Sequence, residues 1–173
     1  MAFNIGIRFS RTDLTKWQYA VRRVVRTAVS ERNLLPKKCA TDYYQLVLKN
    51  IMSQRYAGAY PAYHPSYAKW KEQAVSRMDY WRLFDNVIRN LRAFRVDGNE
   101  AGQVAYMGGV DDSASANGKS IALYGHAVED GNFGAGKAKK PRPVFWPTAL
   151  EYAIKPWRDR NYQSLNRIKG NWR

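Results

Sequence analysis

Cysteine, histidine and acidic side chains are all scarce in this chain. Cys39 is the only cysteine, so no intrachain disulfide can form, a usage that fits a reducing compartment. Cys39 itself reads as a small core residue at a helix start. His64 and His126 are the only histidines, and neither has a second His or Cys at metal-ligand spacing. His64, between two prolines, suits packing or hydrogen bonding better than catalysis. The 14 Asp and Glu residues face 29 Lys and Arg. A metal-dependent nuclease needs several carboxylates converging on one point, and the only adjacent acidic pairs are Asp111-Asp112 and Glu129-Asp130. Neighbours on an extended strand point to opposite faces, so turn and capping roles suit both pairs better. No stretch approaches the roughly 20 apolar residues of a membrane span. Arg8 and Arg11 follow a very short apolar stretch, which is no signal-peptide pattern. The expectation is a soluble protein, cytosolic where it is made and without membrane contact.

Motifs of known chemistry are equally thin. Gly131, Gly136 and Lys137 match the G-x-x-x-x-G-K part of a phosphate-binding loop, but Ala138 follows where the magnesium-binding hydroxyl belongs. Lys-Ala-Lys-Lys-Pro cannot open a good helix, so the amides that would cradle a phosphate are missing too. No Ser–His–acid arrangement can be inferred. The sequence assigns no catalytic residue, metal or cofactor, and the chain reads as a non-enzymatic protein.

What the chain does have is apolar material, aromatic rings and positive charge. Hydrophobic residues make up 45% and aromatics 14% of 173 residues, including six Trp and twelve Tyr. That is enough for the core of a single domain and is not a disordered composition. Trp and Tyr carry a polar tip on an apolar body and suit interfaces as well as cores. The formal net charge is +15, easier to tolerate beside a polyanion or an acidic partner than alone. From Met1 to Lys38 there are nine basic residues against Asp13 and Glu31, and from Lys155 to Arg173 six against Asp159. Lys137, Lys139, Lys140 and Arg142 cluster between them. Arg22, Arg23 and Arg26 on the first helix, with Lys137, Lys139 and Lys140, are the candidate contacts to nucleic acid or to an acidic protein.

The pattern predicts an α+β fold. Met1 to Ser10 alternates, with Phe3, Ile5, Ile7 and Phe9 set against Asn4, Gly6 and Arg8, as in a strand-like arm. Thr12 or Asp13 can cap a helix in which Leu14, Trp17, Val21, Val24, Val25 and Ala28 recur at helical spacing. Pro36 is expected to end it. A second helix starts at Thr41 or Asp42 and carries Tyr44, Val47, Leu48 and Ile51, giving an N-terminal helical hairpin. Tyr56 to Tyr67 reads as an ordered loop that covers the core with aromatic rings, since Gly58, Pro61 and Pro65 oppose a helix. Ser66 can cap a short helix with Tyr67, Trp70, Ala74 and Val75. Leu83 to Leu91 suggests another short helix. Ala93–Val96 and Gln103–Val110 read as strands of a small antiparallel sheet, joined through an Asp97-Gly98 turn. Ile121–Val128 is ambiguous between strand and helix. Pro141-Arg142-Pro143 forces extended backbone, and a C-terminal helix begins at Thr148. Pro156 kinks or ends it before an extended basic tail. Residues 1–154 thus form one domain with an arm at 1–11, and 155–173 the tail.

The order of elements in the second half carries a resemblance. Trp81-Arg82-Leu83-Phe84-Asp85-Asn86-Val87-Ile88-Arg89-Asn90-Leu91 leads into the hairpin. Tyr124-Gly125-His126-Ala127-Val128-Glu129-Asp130-Gly131 follows, and then Pro141-Arg142-Pro143-Val144-Phe145-Trp146-Pro147-Thr148-Ala149-Leu150. With Tyr67-Ala68-Lys69-Trp70-Lys71 upstream, this series resembles the tail-completion or minor tail group of long-tailed bacteriophages, which includes proteins labelled virion morphogenesis proteins. The likeness covers residues 67 to 154. The phenylalanine expected directly after Pro-Arg-Pro is Val144 here, with Phe145 following, and the family's leucine–threonine–glycine appears as Leu83-Phe84-Asp85.

The resemblance implies a virion structural protein at the phage neck. It would complete the tail and join it to the head as a subunit of a ring-forming homo-oligomer, a ring's contacts being heterologous and closing by rotation. Neighbouring neck, connector or tail proteins would be partners, with genomic DNA passing through the channel. The residues that carry the family motifs are Tyr67, Trp70, Leu83, Tyr124, Glu129, Gly131, Pro141, Arg142, Pro143 and Phe145. Glu129 and Gly131 would shape a turn, and Pro141 to Pro147 would dock an extended segment onto the sheet. The residues alone also admit a small DNA- or RNA-binding protein, and less readily a metal-dependent nuclease.

Overall fold

The structure is a computed structural model that describes residues 10–76, 79–80, 85–96, 105–111, 113, 115–116, 118–130 and 141–172. Residues 1–9 of the expected arm at 1–11, the Asp-Gly turn, Leu83, Gly131, Asp112, Lys137, Lys139 and Lys140 lie outside the described residues, and Arg11 already belongs to the first helix. The fold is α+β.

Its spine is α1, Arg11–Met52, one unbroken helix of 42 residues with Pro36 inside it. The expected helical hairpin is therefore corrected to a single rod. Proline removes one helical hydrogen bond and crowds the preceding turn, so such a helix needs support from outside itself. That support is α6, Pro156–Gly170, which packs along α1. On the N-terminal side of Pro36, Glu31 accepts hydrogen bonds from Ser164 at 2.8 Å and Arg167 at 3.1 Å. On the C-terminal side, both oxygens of Asp42 accept from Arg160, at 2.6 and 2.8 Å. Further up, Arg23 donates to the Asn171 carbonyl at 3.0 Å. The C-terminal stretch is thus a docked helix and not an extended tail. Pro156 sits at its start, where a missing N–H costs nothing.

The N-cap of α1 is Ser10, not Thr12 or Asp13; its side chain accepts the Asp13 amide. Cys39 lies in mid-helix, half-buried, rather than at a helix start. After Met52 the chain turns through Gln54, whose φ of 51° is left-handed. A short 3-10 turn, Ala57–Ala59, leads through Tyr60 into α2, Pro65–Val75. Position 64 is the N-cap of α2 and no side chain caps it; Ser66 instead hydrogen-bonds the His64 ring. Then follow α3, Asn86–Asn90, the strands β1, Leu91–Val96, and β2, Ala105–Val110, and a small pair β3, Ser115–Ala116, and β4, Lys119–Ser120. β1 and β2 are antiparallel, Leu91 opposite Val110 and Val96 opposite Ala105. The ambiguous segment is a helix, α4, Ile121–Asp130. The next, α5, Phe145–Ile154, begins three residues before Thr148.

A two-stranded ribbon is marginal alone, and this one lies on α1. At Gly108 a Cβ would come within 2.4 Å of the Ala40 carbonyl and 2.9 Å of the Tyr43 ring, so only glycine lets the strand lie so close. Around that contact Val47, Ile51, Val87, Leu91, Ile121, Val128 and Val144 form the core. Tyr44, Tyr56, Tyr60 and Tyr80 pack on it from outside; Tyr56 and Tyr60 come from the tyrosine-rich loop. A polar joint ties α1 to α5: fully buried Asn50 donates to Thr148 at 2.9 Å, and Tyr56 donates to Glu151 at 3.1 Å. Among the described residues no helix is long and apolar enough to cross a membrane.

Candidate functional site

Of the residues singled out in the sequence, Tyr67, Trp70 and Arg142 meet at one corner. Tyr63, Tyr67, Trp70 and Tyr80 stack with ring centroids 4.7 to 5.5 Å apart. Two cations address the Tyr63 ring, Lys71 Nζ and the Arg142 guanidinium, each 4.7 Å from its centroid. Arg142 also lies 5.3 Å from the Tyr80 centroid and donates to the Pro61 carbonyl at 3.4 Å. Lys71, only 1% exposed, donates to the Tyr63 hydroxyl at 3.0 Å and to the Asp79 carbonyl. A buried ammonium is costly unless its donors are satisfied; here hydroxyl, carbonyl and π-face do so. Burial holds the Tyr63 phenol well above its ordinary range and pushes Tyr124 up to about 12. These phenols stay protonated at neutral pH.

The extended segment Pro141–Pro143 is clamped at this corner. The Arg142 amide donates to Val128 at 3.0 Å, and the Tyr60 hydroxyl to the Pro143 carbonyl at 2.6 Å. It therefore docks on α4 and the tyrosine loop rather than on the sheet. Where it turns into α5, no residue of that helix caps its own N-terminus. Glu129 does so from α4: its carboxylate accepts the amides of Val144 at 2.8 Å, Phe145 at 3.2 Å and Trp146 at 2.9 Å. A carboxylate at that helix end meets both the free N–H groups and the positive end of the helix dipole. Tyr43 completes the joint by donating to the Phe145 carbonyl at 2.9 Å. Of the other acidic pair, Asp111 shapes a turn, accepting the Ser113 amide at 2.8 Å and Arg92 at 3.0 Å.

Beside this joint runs an open, mainly apolar groove of about 320 Å³ between β2 and the α4–α5 joint. Met107, Gly108, Gly109 and Val110 form one wall, and Ala122, Gly125, Phe145 and Trp146 the other. His126 is exposed at its edge. Among the described residues no three His, Cys, Asp or Glu side chains gather as a metal site.

Large apolar side chains also stand exposed across the described surface, well beyond the groove. Five tryptophans are described, Trp17, Trp70, Trp146, Trp157 and Trp172, and each is between 46 and 67% exposed. Leu150 and Ile154 extend the α5 patch, and Leu14 and Val25 lie open on α1. Trp17 and Leu14 belong to the expected apolar stripe of α1, yet both stand exposed. Of the candidate arginines, Arg22 and Arg26 are exposed beside that stripe, while Arg23 bonds to the end of α6. Sequence reading missed Lys71 as a buried cation, because a lysine on a polar helix face carries no signal of burial. No family model, curated protein or solved structure matches the chain.

Proposed function

We propose that this chain is a virion structural protein of the phage neck, a subunit of an oligomeric ring that completes the tail and joins it to the head. The observation that carries the reading is the exposure of all five described tryptophans on a chain whose core is small. Scattered exposed apolar residues are ordinary, but tryptophan is the side chain that loses most by staying wet. Each one covered on assembly removes on the order of 100 Å² of apolar area from water, worth about 2.5 kcal/mol. The rigid corner around Tyr63 and Arg142 supplies a firm platform, and the sequence resemblance supplies the station in the particle. No step of this role needs catalysis.

A second reading rests on Arg22 and Arg26, exposed near the N-terminal end of α1: contact with DNA, as a nucleic-acid binder or as a subunit touching the genome in the channel. One experiment separates the two. The solution mass of the full chain is measured by light scattering at low and high salt, with and without duplex DNA. A discrete oligomer indifferent to DNA supports the ring subunit, and imaging of phage particles then locates it. Tight complexes with DNA that weaken steeply with salt would put nucleic-acid binding first.

A further inference from the structure

We propose that the groove beside β2 receives the N-terminal arm, residues 1–9, of a second copy of this chain as an added strand. The proposal rests on the reading of the chain as a self-assembling subunit and names the contact that joins the copies. Three observations lead to it.

The groove has the features of a strand-acceptor site. β2 pairs with β1 alone among the described residues. Four consecutive residues of β2, Met107 to Val110, line the groove. Since successive strand residues face opposite sides, four in a row mean that the backbone itself borders the groove. Two of them are glycines, and a Cβ at Gly109 would meet nothing within 4 Å. Bare backbone beside an apolar trough is what an incoming strand requires: hydrogen bonds from the edge and pockets for alternate side chains.

The chain carries a matching segment. Phe3, Ile5, Ile7 and Phe9 fall on one face of an extended chain, with Asn4, Gly6 and Arg8 on the other. This is the pattern of a strand with one buried side.

The chain's length excludes its own groove as the destination. The arm joins α1 at Arg11, and the groove lies at Ala40 and Tyr43. At 1.5 Å per residue, Arg11 and Ala40 are about 44 Å apart along the helix axis. Nine residues stretch to at most about 32 Å. The arm falls short of its own groove by a wide margin, so an arm seated in a groove belongs to another copy. Arm and groove are different surfaces, so the contact is heterologous: each copy gives one and receives one, as closure of a ring demands.

The test uses two full-length variants. In one, Phe3, Ile5, Ile7 and Phe9 are each changed to Ser, leaving a groove without an arm. In the other, Gly109→Phe sets a ring in the open space beside the groove-lining backbone of β2 and leaves the arm; circular dichroism and the melting midpoint check that each folds. The direct readout is fluorescence anisotropy of a labelled peptide of residues 1–10 with the Ser variant. Saturable binding is expected, weakened by about tenfold or more, 1.4 kcal/mol, when Gly109→Phe is added to that variant. No binding, or binding indifferent to Gly109→Phe, overturns the proposal. The second readout is mass. Each variant alone is expected to be monomeric, and an equimolar mixture to give a one-to-one pair that grows no further. If the wild-type chain forms rings and the Ser variant forms them equally well, the arm is wrong and the ring reading stands. If the peptide binds as expected but the wild-type chain never self-assembles, the arm joins no copies, and the proposal falls together with the ring reading.

Discussion

The Glu129 carboxylate accepts the Val144 amide at 2.8 Å, so the end of α4 holds the beginning of α5. The same group takes the next two amides as well. Replacing Glu129 with Gln keeps the size and removes the charge. The expected loss is about 1–2 kcal/mol of stability, read as a lower urea midpoint with an unchanged slope. Glu129→Ala should cost more, since three amides then lose their acceptor.

Gly108 should tolerate no side chain. Gly108→Ala drives a methyl group into the Ala40 carbonyl, and the ribbon must lift off α1. A loss of about 1–3 kcal/mol is expected, measurable by thermal melting. Gly109→Ala, one residue on, serves as the control and should be near neutral.

Pro36 should be a net burden on α1. Pro36→Ala restores a hydrogen bond and relieves the clash with the preceding turn, and a gain of up to about 3 kcal/mol follows. A rise in melting midpoint together with stronger helical circular dichroism would bear this out. A fall would mean that α6 fits only a bent rod.

Acid should loosen the α1–α6 seam through Glu31. Burial raises its pKa, but the Ser164 hydrogen bond and the Arg167 and Lys38 charges outweigh this and hold it below the ordinary 4.5. A carboxyl depressed in the folded state contributes stability that is present above its unfolded value and is lost as pH falls through the folded one. Stability of the wild type should therefore drop more steeply below about pH 4.5 than that of Glu31→Gln, as denaturant midpoints against pH would record.

Tryptophan emission should report assembly. With five indoles open to water, the free subunit is expected to emit at the long-wavelength, solvated end of the range. Assembly should shift emission to shorter wavelength in step with the rise in mass. Unchanged emission across that rise would place the interface elsewhere.

The elements that could be read from the sequence are those with one greasy side. The stripe Leu14, Trp17, Val21 marked α1, and the two short runs on either side of Asp97-Gly98 marked the ribbon. Tyr60 and Tyr63, set among prolines, marked the covering loop. What escaped was written in polar residues. Nothing local says that Arg160 and Arg167 will meet Asp42 and Glu31 across more than a hundred residues. Without those partners Pro36 looks like a terminator and α6 like a loose tail. Pro156 was the available clue, since a proline opening a helix is as regular as one ending it. Lys71 was hidden for the same reason: its burial depends on Tyr63 and Asp79, which local sequence cannot bring to it.

The α1–α6 seam has a further consequence. It is joined by ion pairs and hydrogen bonds, with Ser164 the buried residue of α6 and Glu31 facing it. Parting the two helices would wet groups that water receives well, with little oily surface to stand exposed. Such a seam behaves as a zip rather than a weld: dissolved salt slackens its partly exposed pairs, while the oily patches beside it grip harder or not at all. Ionic strength is therefore a dial that turns the clasp and leaves the glue in place.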